Sequence, residues 1–406
     1  MIKKRVIYVV TIILSILYIF IGNKVVTKNN GSVSTLDVEY TKAKVTKILS
    51  IEETVAQAGS TDKDKDITVT FEARIIGKEN KGKIIEAQQI ISYPNAENAV
   101  ELEVGDKILI LDAYEDDAGN IVWKYVDRER ITPVILLGVI FVLLLIIFGK
   151  AKGMNTILAL CFIILSIFAV FIPSILAGFN IYLMAIITCV FIVLSTSIIV
   201  YGINEKSIAT VLGCLGGMLI SLLLLLIMDS IIHLSGYTSE ESMFLMLLDL
   251  ENPINLKAIV FASIIIGAIG AIMDISIDIA SSLREISYKV KDPTFKEIVK
   301  SGITIGQDII ATMTNTLVLA YIGSCLSSVV LIVAYDTSLI NLFNKEAIIV
   351  EILQALIGSL GLLFTIPFTS VICGIMYSHR GIKKELIDIK DSIKNKVMKR
   401  GKIINE

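Results

Sequence analysis

Five residues with oxygen or amide side chains sit where such groups are expensive. Asp274 and Asp278 lie in I269-G-A-I-M-D-I-S-I-D, and Asp308, Thr312 and Asn315 lie in G306-Q-D-I-I-A-T-M-T-N. Both stretches belong to apolar runs of membrane-spanning length. A carboxylate at bilayer depth costs about 2.5–3.5 kcal/mol on insertion scales, so it ordinarily faces protein or water and marks an ion or proton pathway. In that chemistry Asp274 takes a cation or proton, and Thr312 and Asn315 add neutral ligands.

The elements that must position these groups are two helices. At about 100° per residue, Ser263, Gly267, Gly270, Ala271, Asp274, Asp278, Ser281 and Ser282 share one face of the first helix. Isoleucines fill the remainder, with Ser276 the one polar intruder. The second helix gathers Thr304, Asp308, Thr312 and Asn315 on one side. The plainer reading of Gly267, Gly270, Ala271 and Gly306 is helix packing, because small residues let backbones approach. That reading does not account for two aspartates one turn apart. Asp278 and Asp308, nearer the helix ends, have the simpler alternative of being wetted. Consecutive antiparallel helices are usually neighbours, so the two acidic faces are expected to converge.

Composition sets the class. The chain has 406 residues, 54% of them hydrophobic, with a mean hydropathy of +0.77. Only a polytopic membrane protein needs so many apolar runs of about 20 residues. The five cysteines all fall in apolar segments, with no CxxC, and only two histidines occur, so neither a disulfide framework nor a metal site is indicated. No Walker-type phosphate loop is present. No Ser/His or Cys/His nucleophile arrangement points to an enzyme, and no cofactor is expected.

Near the N-terminus, Lys3, Lys4 and Arg5 precede an apolar run that continues to Gly22. The following N23-K-V-V-T-K-N-N lacks a small-x-small cleavage site, so residues 1–23 read as an uncleaved anchor. Residues 36–130 turn polar, with five β-branched runs separated by N80-K-G, V104-G-D and D116-D-A-G-N. That pattern predicts a small barrel of the OB type. Its charges are mixed and Trp123 is the only tryptophan, so no nucleic-acid face is expected. The acidic D112-A-Y-E-D-D reads as a solvated hairpin tip rather than a calcium loop.

Seven further apolar segments occupy residues 133–378: near 133–149, 154–173, 180–201, 207–233, 256–281, 309–334 and 347–377. With the anchor they give about eight spans. The last, carrying Gly358, Gly361 and Pro367, is expected to kink or break. Lysine and arginine in short loops orient the chain. With the N-terminus cytoplasmic, Lys150, Lys152, Lys206, the 284–300 loop and the basic 379–406 tail all lie inside, and the short outside loops hold only Lys257 and Lys345. The β domain is then extracytoplasmic, as is the 235–255 loop, whose M243-F-L-M-L-L can lie along the interface. The tail suits contact with anionic lipid.

The G267-to-E285 stretch, with G270-A-I-M-D and S281-S-L-R-E, followed by G306-Q-D-I-I-A-T-M-T-N-T-L-V-L-A-Y-I-G, resembles the signature region of the YibE/F family of bacterial multi-pass membrane proteins. The layout of anchor, extracytoplasmic domain and clustered membrane domain resembles that family too. The resemblance implies fold and topology, and matches Asp274 to an acidic family position. The position of Asp278 departs from the family's more usual small or polar residue.

Two functions compete. A secondary transporter would use the intramembrane aspartates for ion or proton coupling. A non-transporting sensor or assembly module would bind a partner through its β domain. Besides the lipid bilayer, the candidate partners are a small-molecule or ionic substrate and a second copy or second family member.

Overall fold

The computed structural model describes residues 2–29, 40–55, 65–77, 80–91, 102–115, 121–247, 253–290, 292–335 and 338–378. The chain divides into two compact units, Ser34–Leu145 and Met1–Val33 with Ile146–Glu406.

The first unit is a closed five-stranded barrel of β1 (Thr41–Val55), β2 (Lys65–Ile75), β3 (Ile84–Ile91), β4 (Lys107–Glu115) and β5 (Ile121–Arg128), ordered β1-β2-β3-β5-β4. Antiparallel pairing of β1 with β4 closes it, and β3 meets β5 in parallel with Ala87 opposite Trp123. Alternation sorts the side chains: on β3, Ile85, Ala87 and Ile91 are buried while Ile84 and Ile90 are exposed. Phe71, Ala73, Ile108 and Ile110 complete the core, and Trp123 packs against it. Asn80 and Gly82 adopt φ of 57° and 92° in the β2–β3 turn, and Gly105 adopts 107° before β4. These are left-handed conformations that asparagine and glycine tolerate best. Of the acidic stretch 112–117, residues 112–115 belong to β4, and residues 116–117 lie outside the described residues.

The second unit is helical. Its elements are α1 (Ile2–Asn29), the distal part of α2 (Ile131–Ser166), a π turn (Ile167–Phe171), α3 (Ile172–Leu176), α4 (Ile181–Tyr201), α5 (Glu205–Ile232), α6 (Glu240–Met246), α7 (Leu256–Lys289), α8 (Phe295–Ser324), α9 (Leu326–Tyr335), α10 (Leu339–Asn344) and α11 (Glu346–Ser378). Helix starts are fixed by side-chain caps. Asn180, Asn204 and Asn255 accept from the amides of Leu183, Ser207 and Ala258. Thr294 and Glu297 form a reciprocal capping box on α8.

Seven helical stretches among the described residues are long and apolar enough to cross a membrane, against the eight segments expected. The difference is Ile131–Leu176, which runs as one 46-residue stretch where the sequence implies two spans and a loop. Its path breaks at Lys150 (φ 49°, ψ −129°) without a separating coil. The segment expected at 309–334 is also redrawn. α8 begins at Phe295, inside the expected basic loop, and ends at Ser324, with α9 following at once. The cap at Thr294 sets that start, so Asp308 lies near the middle of a helix rather than at its end.

α11 is continuous through Gly358, Gly361 and Pro367, contrary to the expected break. It packs against α5, α7 and α8. Its glycines serve close approach: a Cβ at Gly361 would strike Ser221, and one at Gly358 would lie 2.9 Å from Leu317. Gly213 and Gly217 of α5 do the same for Thr369 and Thr365 of α11. Small and hydroxyl residues thus interlock where lipid provides no hydrophobic drive for helix association. α1 also belongs to this bundle. Tyr8 Oη donates to Asn155 Oδ1 at 2.9 Å, Asn23 Nδ2 donates to the Ala169 carbonyl at 2.8 Å, and Tyr18 stacks on Phe191 at 4.1 Å.

Candidate functional site

α7 buries its isoleucines and leaves its two aspartates exposed. Ile264, Ile265, Ile269, Ile272, Ile275 and Ile279 are buried, while Ser263, Gly267, Gly270, Asp274 and Asp278 are exposed. Ala271, Ser281 and Ser282 are half-buried along its edges. Ser276 points the other way, into the bundle.

Groups of the α4–α5 corner interact with the two carboxylates. The fields of Asp274 and Asp278 both reach the Tyr201 hydroxyl, and that of Asp274 also reaches the buried Cys214 thiol. Lys206 feels Asp278, and its Nζ donates to Ser281 Oγ at 2.8 Å and sits 4.7 Å from the Tyr201 ring centre. Lys152 and Arg284 face the same ammonium.

The corner's local sequence explains this placement. Gly202 adopts φ of 72°, ending α4, and Asn204 caps α5 two residues later. The Ser207 hydroxyl donates to the Gly202 carbonyl and tightens the turn. Tyr201 and Lys206, on either side of the corner, are thereby delivered to the Asp278–Ser281 turn of α7. A carboxylate pair, a phenol and an ammonium in one place can exchange a proton or hold a cation, because each charge state alters its neighbours.

α8 does not close this site in the manner the sequence implied. Gly302 and Gly306 are buried, and added Cβ atoms there would strike Ser370 and Ile366 of α11. Thr304, Asp308, Thr312 and Asn315 are exposed on another side of the helix. No hydrogen bond or ion pair among the described residues joins Asp308 to Asp274, and both are exposed. Packing of Gly302 and Gly306 against α11 fixes the rotation of α8. α8 meets α7 at Gly302, where a Cβ would lie 2.9 Å from Leu283, and at Tyr321: a Cβ at Gly267 would lie 3.1 Å from Tyr321 Oη and 3.0 Å from Gln354 Nε2 of α11. Beside Gly270 nothing approaches within 4 Å, so its small size serves no contact among the described residues.

Tyr201, Lys206, Tyr321 and Gln354 escaped the sequence reading. Lys206 registered only as loop charge, and tyrosine in an apolar run reads as packing. The Y201-G-I-N-E-K corner, a glycine stop followed at once by an asparagine cap, was the available signal. His233 ends α5 in a left-handed conformation, φ 55°. The described residues contain no group of three or more side chains with metal-ligating character.

Comparison with curated proteins and with solved structures finds no match. A family model described as YibE/F-like protein matches residues 137–379, more than half of the chain and all of the helices that build this site from α4 onward. With its apolar helices, the chain is a multi-pass membrane protein that belongs to the YibE/F-like family.

Proposed function

We propose that this protein is a secondary permease in which Asp274 binds a coupling cation or proton. The observation that carries the reading is the polar cluster on α7. Asp274 and Asp278 stand within a 34-residue membrane helix and interact with Tyr201 and Lys206 from another part of the bundle. Ionisable groups so placed are rare in membranes unless they serve a pathway. Asp308, Thr312 and Asn315, uncovered on α8, provide a second polar face, and a second copy or second family member is the natural cover for it.

The finer topology follows from the same physics. A 46-residue helix would run about 69 Å at 1.5 Å per residue. That is more than twice the roughly 30 Å hydrocarbon core. Ile131–Leu176 is therefore read as two crossings that turn at Lys150, restoring eight spans with both termini cytoplasmic. The strand order of the barrel supports a domain of the OB type, and the lysine asymmetry of the short loops puts it on the extracytoplasmic side.

The test is flux. Purified protein in proteoliposomes should carry a cation- or proton-coupled substrate flux that Asp274→Asn abolishes. Absence of flux for every substrate class tried, with intact protein, would turn attention to the sensor or assembly reading. That second reading has its own support in Leu49, Ile51 and Ile90, apolar residues exposed on the outside of a barrel that already has a full core. Copurification of a partner that depends on those residues would favour it.

A further inference from the structure

The α4–α5 corner brings an ammonium to the acidic face of α7 without pairing it. Lys206 Nζ is tied to Ser281 Oγ at 2.8 Å and rests 4.7 Å from the Tyr201 ring centre, while no ion pair to Asp278 forms. Ser281 stands three residues beyond Asp278 on α7, so the two side chains are neighbours on one face. Lysine carries its charge on a flexible four-carbon stem with rotatable donors.

We propose that Lys206 is a tethered internal cation that competes with a proton or bound cation for Asp278, and is parked on Ser281 and Tyr201 when the carboxylate is otherwise occupied. The proposal rests on the permease reading for its purpose, although the competition itself needs no flux to be observed.

The surroundings favour an ammonium that moves over one that is fixed. Lys152 from α2 and Arg284 from α7 repel Lys206, and Asp278 attracts it. Tyr201 from α4 offers its ring face to the ammonium. Glu205, next to it in α5, interacts with Arg284. A neutral hydroxyl and an aromatic face are weak holders, so a free carboxylate one turn away can draw the ammonium off.

A hydrophobic carbodiimide reads the competition directly, because it reacts with the protonated carboxyl and not with the carboxylate. The experiment labels the full-length protein in native membranes with dicyclohexylcarbodiimide near neutral pH, and quantifies adducts at Asp278 and Asp274 by fragment mass spectrometry. A nearby cation favours the charged carboxylate. Lys206→Met removes the competing cation and should therefore raise Asp278 labelling about three-fold or more. Lys206→Arg should keep labelling within about two-fold of the parent, because it preserves the charge.

Ser281→Ala provides the opposite displacement. Without its tether the ammonium moves toward Asp278, and labelling should fall. Unchanged Asp278 labelling in Lys206→Met would overturn the proposal. If that variant does not insert, unchanged labelling in Ser281→Ala overturns it instead. A labelling response without substrate flux would keep the competition and remove the permease reading, so the two failures are distinguishable.

Discussion

Ser276 Oγ of α7 and Thr369 Oγ1 of α11 lie 3.0 Å apart in the buried centre of the bundle, and Ser276 also donates to the Thr210 carbonyl of α5 at 2.8 Å. Three helices are thus joined at one hydroxyl, on the side of α7 opposite its aspartates. This joint holds the buried face of α7 in place and leaves the acidic face free.

The joint makes a contrast between two glycines testable. Gly213 faces Thr369 and Ser276 so closely that any Cβ would collide with both hydroxyls. Gly213→Ala should destabilise the protein by about 1–3 kcal/mol, the usual range for overpacking. Gly270→Ala meets open space and should be neutral or stabilising, by up to about 1 kcal/mol from helix propensity. Thermal unfolding of the two variants in one detergent gives the comparison, and equal losses would contradict the packing described.

A second joint lies at the start of α11. Glu346 accepts from the Ser235 amide at 2.8 Å, the Ser235 hydroxyl at 2.6 Å and the Gly236 amide at 2.5 Å. Gly236 adopts φ of 91°, and a Cβ there would lie 2.5 Å from the Leu256 backbone. Glu346→Ala should loosen the 235–238 turn, with a loss of about 1 kcal/mol because water replaces part of each bond. Hydrogen exchange at those amides should quicken while exchange in the rest of α11 is unchanged.

The barrel carries a pH dependence. Glu129 accepts from Thr132 at 2.6 Å and from Lys42 at 2.9 Å, and these bonds hold its carboxyl below the usual carboxylate range. A lowered folded-state pKa contributes stability that is complete above the ordinary glutamate value and is lost as pH falls through the folded value. Residues 36–135 expressed alone should fold as a soluble, β-rich monomer that loses stability on acidification. Glu129→Gln should flatten that loss; an unaltered pH profile would remove Glu129 from the account.

Asp274→Asn keeps the shape of the side chain and removes its charge. It should insert and express normally and abolish flux or growth complementation, whereas Asp278→Asn has a milder effect. Wild-type behaviour of Asp274→Asn would reduce the acidic face to a structural feature.

Topology has a direct measurement. Single cysteines at Ser60 and Ser392, in a background without Cys161, Cys189, Cys214, Cys325 and Cys373, should label from opposite sides of sealed cells. Labelling of both from outside would overturn the eight-crossing arrangement.

The sequence by itself determined the helical membrane class, the five strands of the barrel and the small, acidic face of α7. Each is written in local periodicity: alternation for strands and a 3.6-residue repeat for the buried isoleucines. Turn residues such as Asn80 and Gly105 were equally plain, because backbone conformation at those positions is a property of the residue. The partner of the acidic face was not local. Sequence adjacency favoured α8, but glycines 302 and 306 rotate α8 onto α11, and the Gly202–Asn204 corner brings Tyr201 and Lys206 to Asp278 instead. The same applies to Gly358 and Gly361, which read as breaks until Leu317 and Ser221 are seen to occupy the space they leave. Periodicity fixes which face of a helix is special; which neighbour meets that face depends on packing between residues far apart in the chain, and only the tertiary structure decided it.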